Sequence, residues 1–315
     1  MKYRLFFYFF LISLYSFSQE KFSKEISLIT DNDLYVSKTK DRYYTSGVFL
    51  KYRYLSKVKK ENQEKRILEW QIGQEMYSPY KSVVTSIEQH DRPFAGYLYA
   101  SFGINRVYKN YKAFNTTLQV GLIGPNSFAK ELQSIIHNIY GFVDAVGWKH
   151  QIKGAFALNF NADYNTFLAK DASNHFDISW INSAKIGTVY TNISTGFYGR
   201  IGFKPLQSIL NSIAFNNNLN NETTNFTREA ESFIYIKPTL RYSQYDATLQ
   251  GSFLNKNSDV TKELIPLIFH LELGFQVTLN RFSLGYAFHY HTNKSKGLRY
   301  NGNKYGTIGV NYLLH

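Results

Sequence analysis

Ile265-Pro266-Leu267-Ile268-Phe269-His270-Leu271-Glu272-Leu273-Gly274-Phe275-Gln276-Val277-Thr278-Leu279 is the stretch whose reading decides the fold. Every odd position is apolar, while the even positions include His270, Glu272, Gln276 and Thr278. Successive side chains of a strand point to opposite faces. One face of this strand is therefore oily and the other largely polar along its whole length. Past Asn280 the pattern resumes, with Phe282, Leu284, Tyr286, Phe288 and Tyr290 on one face and Ser283, Gly285, Ala287, His289 and His291 on the other. Strands of soluble sandwiches rarely run so long with that purity. Lipid outside and a polar lumen inside account for it directly. Phe114, Thr116, Leu118, Val120 and Leu122 repeat the signature, as do Ile308, Val310, Tyr312 and Leu314.

Candidate strands lie near 23–32, 44–56, 66–77, 96–108, 112–124, 150–168, 176–190, 192–203, 231–245, 246–256, 264–279, 281–292 and 304–314. Bacterial single-chain barrels have an even number of strands. Merging 176–203 into one long or bulged strand brings the thirteen candidates to twelve. The expected fold is all-β, a transmembrane antiparallel barrel of about 12 strands with a short α-helix in an outer loop. On this count, turns near 109–111, 244–246 and 280 are periplasmic, and the long segments 31–43, 78–95, 125–149, 204–230 and 293–303 face outward. Inward Phe49, Lys51 and Arg53 help fill a narrow lumen, and Asn216–Asn225 reads as a mobile asparagine-rich loop.

Composition agrees. Tyrosine and phenylalanine each number 26, beside a mean hydropathy of only -0.32, as expected where aromatic girdles mark both membrane interfaces. Residues 1–18 open with Lys2 and Arg4, continue with an apolar run from Leu5 to Leu14, and end on small residues. That is the pattern of a signal peptide, leaving 19–315 as one exported domain. The absence of cysteine excludes thiolate metal sites and thiol nucleophiles. The net charge of +13 suits contact with phosphorylated lipid. Nucleic acid is not an expected partner of an exported chain.

Two segments carry candidate chemistry. Asp31-Asn32-Asp33 ends one strand and Asp41-Arg42-Tyr43-Tyr44-Thr45-Ser46-Gly47 begins the next. A short connection brings Asn32, Asp33 and Thr45 to one rim, an oxygen-rich cluster suited to a hard cation such as calcium. Asn and Asp are also common turn formers, so a plain polar loop is the alternative. Ser127–Tyr140 reads as a helix with Leu132, Ile135, Ile136 and Ile139 on one face and Gln133 and His137 on another. On this reading it buries the isoleucines against the rim and turns Gln133 and His137 toward a cleft. Of the eight histidines, His137 is the best candidate base, since a neutral imidazole can take a proton from water; a polar surface histidine is the alternative. No Gly-x-Ser-x-Gly elbow and no His-Glu-x-x-His motif is present.

Taken with Gly73-Gln74-Glu75-Met76-Tyr77-Ser78-Pro79, Asp91-Arg92-Pro93-Phe94-Ala95-Gly96, Gly121–Asn126, Gln133–His137 and Gly147-Trp148, these blocks resemble the outer-membrane lipid A 3-O-deacylase family over nearly the whole mature chain. The resemblance implies a twelve-stranded outer-membrane barrel. It implies calcium-dependent removal of the 3-linked acyloxyacyl group from the lipid A of lipopolysaccharide. Asn32 and Asp33 match the essential pair and metal ligands, Thr45 the strand-opening threonine, Gln133 a further site residue and His137 the water-activating histidine. Lys81 and Arg92 stand where phosphate-binding basic residues are sought. A monomer is expected. The competing readings are an outer-membrane phospholipase using the same histidine and calcium, and a non-catalytic barrel that binds lipopolysaccharide or acts as a pore.

Overall fold

The computed structural model describes residues 21–36, 42–57, 60–81, 83–222, 224 and 230–315. The expected signal peptide, residues 1–18, and Asp41 lie outside them. Twelve strands form the wall: β1 (Lys24–Asn32), β2 (Tyr43–Ser56), β3 (Gln63–Ser78), β4 (Ala95–Tyr108), β5 (Lys112–Ile123), β6 (Ala155–Lys170), β7 (Phe176–Gly187), β8 (Tyr190–Gly202), β9 (Ser232–Asp246), β10 (Leu267–Leu279), β11 (Phe282–His291) and β12 (Asn303–Leu314). Each pairs with its chain neighbours, and β1 pairs antiparallel with β12 from Lys24↔Leu314 to Asn32↔Gly306, closing the barrel. Closure satisfies every ladder, which hydrocarbon requires because it offers no partner to a free N–H or C=O.

The alternation read in the sequence has its expected sense. Leu267, Phe269, Leu273, Phe275, Leu279, Phe282 and Leu284 are exposed on the outside of the wall. His270 and Glu272 line a lumenal cavity, as do Lys51 and Phe49 in the upper half and Arg53 below. Among the described residues no helix is long and apolar enough to cross a membrane.

Two connections lie at the opposite rim from the one expected. Residues 176–203 are not a single strand: β7 and β8 fold back on each other with Phe176 opposite Ile201 and Lys185 opposite Asn192. The count is still twelve because 246–256 is not a strand. The Asp246 carboxylate accepts the Thr248 amide at 2.9 Å and caps a short helix, α1 (Ala247–Gln250). Three consecutive residues, Ala247, Thr248 and Leu249, are buried there, which an alternating strand cannot do. Segment 247–266 therefore lies at the outer rim and segment 203–231 at the periplasmic rim.

The described part of the asparagine-rich stretch, residues 216–222 and 224, lies at the periplasmic rim and is bonded to lumenal side chains rather than set loose outside. Ile209, Phe215 and Leu219 are buried, packing on Ala113 and Tyr198 and on Phe22, Ile67 and Leu313. Arg53 is ion-paired with Glu25 and donates to the Asn216 carbonyl at 2.7 Å and to Asn218 Oδ1 at 3.0 Å. Lys65 reaches Asn211 Oδ1 at 2.5 Å and the Asn217 carbonyl at 2.9 Å. Arg200, fully buried, joins Asp177, Glu231, Ser212 and the Gln207 carbonyl. The periplasmic mouth is plugged by the chain's own connection.

Truncating one partner of a buried pair leaves the other charge uncompensated, at a cost of about 3–5 kcal/mol. Arg53→Ala should lower unfolding stability in lipid vesicles by that amount. It should also raise ion conductance across a planar bilayer, where the native chain stays closed; native-like closure of the variant would show that Arg53 does not hold the plug.

Candidate active site

The outer ends of β1–β4 present one continuous outward row, polar on β1 and β2 and continued by Met76 and Gly96 on β3 and β4. Asp31 lines the lumenal cavity, so Asn32, the next residue, faces outward. Asn32 lies opposite Ser46, Ser46 opposite Met76, and Met76 opposite Gly96. Cross-strand partners share a face, so the row spans four strands.

A bulge brings Thr45 into this row. Tyr44 lines the same lumenal cavity as Phe49, although the two differ by an odd number of residues. The β2–β3 register shifts between Tyr44 and Ser46. Such an irregularity places two neighbours on one side, so Thr45 joins Ser46 on the outward face. There Thr45 Oγ1 and Ser78 Oγ are 2.5 Å apart, both buried. At the end of β1, Asn32 Oδ1 accepts the Leu34 amide at 2.8 Å and caps the 3-10 turn Asp33–Tyr35. Asp33 is buried, its Oδ2 accepting the Arg42 amide at 2.6 Å.

A helix, α2 (Ala129–Tyr140), is seated on this row. Its start rests on Gly96, where a Cβ would stand 2.0 Å from Ser127 Oγ and 2.4 Å from Ala129 Cβ. Gln74, outward two residues before Met76, donates to the Ser127 carbonyl at 2.5 Å. Ala129 packs with Met76, Phe94 and Trp148. Gly141, at φ 71, ends the helix in the left-handed conformation that glycine adopts without strain.

The helix turns the opposite stripe inward from the one expected. Ala129, Gln133 and His137, four residues apart, are buried, whereas Ile135 and Ile139 are 56% and 74% exposed. The wall beneath offers Gly96 and Met76 at the helix start, and the inward polar side chains have built partners. Trp148 Nε1 donates to Gln133 Oε1 at 2.7 Å, and His137 Nδ1 lies 2.6 Å from the Val143 carbonyl. A carbonyl only accepts, so Nδ1 carries the proton and Nε2 is the basic nitrogen. Phe128, Ile135, Ile139, Phe142 and Val143 face away from the wall as an exposed apolar stripe.

The basic candidates divide. Lys81 is exposed, its ammonium 5.2 Å from the Tyr80 ring. Arg92 is buried and binds the Thr248 carbonyl at 3.1 Å above the Tyr77 ring, and this burial holds its guanidinium below the ordinary arginine range. Its donors thus serve the loops. The sequence reading gave no role to Arg42 and Arg299, which lie over Tyr300 and Tyr80 at 4.4 Å and 4.6 Å beside Lys81. Asp91 ties these loops together, accepting from Tyr43 Oη at 2.8 Å and from the amides of Tyr80 and Arg299 at 3.0 Å and 3.1 Å. Ser78, the partner of Thr45, was missed because its only sequence signal is a place beside Pro79. Nearby, burial holds His90 below the usual histidine range, while the His150 imidazole and Lys153 hold Asp259 below the usual carboxylate range.

The donors at the β1–β2 end are all oxygens: the Asp33 carboxylate, the Asn32 amide and the Thr45 and Ser78 hydroxyls. Among the described residues no group of three or more His, Cys, Asp or Glu could hold a metal. A single carboxylate among neutral oxygens fits a hard cation such as calcium rather than zinc, and the low ligand charge makes for weak binding.

The sequence matches the family model described as outer membrane protein LpxR over residues 5–314. Among solved structures, LpxR from Salmonella typhimurium aligns with a TM-score of 0.72 at 18% identity, covering 92% of this chain and 100% of that one. An outer membrane channel from Pseudomonas putida F1 aligns at 0.48 and 8% identity, covering 94% and 97% of the two chains. The β domain of the Bordetella autotransporter BrkA aligns at 0.46 and 9%, covering 94% and 100%. No curated protein matches the sequence at a significant level.

Seating of α2 on Gly96 gives a direct test. The Cβ of Gly96→Ala overpacks the contact at a cost of about 1–3 kcal/mol. Protease cleavage within 129–150 should then accelerate about tenfold while the barrel keeps its heat-modifiable gel mobility. Unchanged protection would mean that α2 is held elsewhere.

Proposed function

Because the chain belongs to the LpxR family of outer membrane proteins, we propose that it is an outer-membrane lipid A 3-O-deacylase that hydrolyses the 3-linked acyloxyacyl ester with His137 as base. The observation that carries this reading is the burial of Gln133 and His137 along α2, with the His137 tautomer set by the Val143 carbonyl. A base needs an unprotonated nitrogen, and in this tautomer Nε2 is that nitrogen. The location favours a lipid substrate. The row and helix lie on the outside of the wall, beside an apolar stripe continuous in character with exposed Leu118, Val120 and Leu122 of β5. Lipid acyl chains reach such a site laterally from the outer leaflet.

In the proposed reaction His137 Nε2 takes a proton from water as the oxygen attacks the ester carbonyl. The tetrahedral oxyanion then collapses, the carbon–oxygen bond to the sugar breaks, and the proton on Nε2 passes to the leaving alkoxide. Trp148 fixes the Gln133 amide with its oxygen toward the indole, making the amide nitrogen, a donor, its other end. Asn32 and Asp33 would hold calcium, which when bound supplies positive charge to polarise the ester carbonyl. Arg42, Lys81 and Arg299 offer cations at the outer rim for lipid phosphate. The lumenal plug argues against a passive pore.

Mass spectrometry of lipid A incubated with the detergent-purified protein tests this. Loss of one acyloxyacyl unit is expected with calcium and not with chelator. Loss of a general base typically costs about 10²–10⁴ in rate, which is the expected effect of His137→Ala. Unchanged lipid A alongside hydrolysed phospholipid would move the reading to a phospholipase, and no turnover of either would make the barrel non-catalytic.

A further inference from the structure

The lumen contains charged groups that the chemistry at the outer rim does not use. In its upper half a cavity of about 370 Å³ is lined by Lys185 of β7, Arg241 of β9 and Lys294 of the β11–β12 connection, with Asp31, Glu75 and Asp246 also on its wall. The acids are already satisfied by neutral donors. Asp31 accepts from Tyr44 Oη and Thr307 Oγ1, each at 2.6 Å. Glu75 Oε2 accepts from Tyr77 Oη at 2.6 Å and Tyr190 Oη at 2.9 Å. Asp246 Oδ1 takes the amide and hydroxyl of Thr248 at 2.9 Å and 2.6 Å.

The cations have no such partners. Among the described residues neither Lys185, Arg241 nor Lys294 forms an ion pair within 4.0 Å, and Arg241 Nε is a buried donor without an acceptor. Lys185 has only the face of the Tyr190 ring, 5.6 Å away. Register brings two of them near each other: Lys185 lies opposite Asn192 and Arg241 opposite Ser194, on the two flanks of β8 and two residues apart along it. Two strand spacings and that offset, about 12 Å in all, separate their backbones, within reach of one small ligand held between long side chains. Burial and then the Arg241 guanidinium push the Lys294 ammonium down to about 8. Converging cations in a low-dielectric wall repel one another, and a multivalent anion would relieve that repulsion.

We propose that Lys185, Arg241 and Lys294 form an anion-binding site in the barrel lumen that takes a compact phosphate-class oxyanion. Guanidinium and ammonium groups are the natural donors to such oxygens, the former in a planar fork. The phenol hydroxyls on the same wall add neutral donors. The site is separate from Asn32, Thr45 and His137, since Asp31 marks the inward side of the strand on which Asn32 faces out.

The test is calorimetric titration of the calcium-free, detergent-purified protein with inorganic pyrophosphate. One saturable site is expected. Arg241→Gln and Lys185→Gln should each weaken it about tenfold or more. Lys51→Gln, on the same wall but 3.7 Å from the Glu69 carboxylate, should change it by less than about twofold. Arg241→Gln should unfold no more readily than the native chain, because it removes a cation that has no bond to lose. Displacement of pyrophosphate by micellar phosphorylated lipid would identify a headgroup as the source, and failure to displace it would identify a free anion. The absence of saturable heat, or equal affinity in Arg241→Gln and the native chain, would overturn the proposal.

Discussion

Antiparallel pairing of β1 with β12 is the constraint on which everything else rests, because a sheet in hydrocarbon cannot leave an edge. Once the ladder closes, each side chain is committed to lipid or lumen by its parity along the strand. Oily residues at alternate positions thus become a membrane band, and the polar residues between them fill a narrow interior. Against so strict a rule, one departure has consequences. The irregularity at Tyr44–Ser46 moves Thr45 to the outward face beside Asn32, and Ser78 on β3 closes the contact. A one-residue shift in β2 therefore adds a hydroxyl to the outward face beside Asn32 and Ser46.

The β3 and β4 end of the outward row carries α2. The helix packs Ala129 with Met76, Phe94 and Trp148, buries Gln133 and His137 with partners of defined chemistry, and leaves Ile135 and Ile139 outward. Close approach at Gly96 and aromatic packing of Phe94 on Trp148, with ring centroids 4.7 Å apart, set its height above the wall. Asp91 then joins three outer loops through Tyr43, Tyr80 and Arg299, so the surroundings of the row are a tied structure and not independent loops.

Charge inside the barrel serves two purposes. At the periplasmic end Arg53, Lys65 and Arg200 are engaged with carboxylates, amides and carbonyls of the 203–231 connection, and they close the mouth. In the upper lumen Lys185, Arg241 and Lys294 have no comparable counterparts. Asp31, Glu75 and Asp246 share that cavity, but they are bonded to neutral donors and form no ion pair with these cations. The contrast within one lumen is the physical ground for treating the upper set as a place where an anion binds.

Most of the wall was legible in the chain because alternation is local: Ile265–Leu279 and Arg281–His291 declare their two faces without reference to any other segment. The helix existed in the pattern of 129–140 for the same reason, and the residues that carry the family resemblance are contiguous blocks. Three features were not legible, each set by contacts between distant segments. The reversal between β7 and β8 depends on which neighbour pairs with which, and the cap at Asp246 is what stops a further strand. Docking of Asn216–Asn218 in the lumen depends on Arg53 and Lys65, more than a hundred residues away. The inward stripe of α2 depends on the close approach at Gly96, on the indole of Trp148 and on the Val143 carbonyl. The sequence by itself determined a closed, lipid-facing barrel and a rim with a histidine-bearing helix, since period and composition are properties of neighbours. Tertiary structure alone decided which face the site occupies and what fills the lumen, since polar groups choose their partners only when the wall has closed around them.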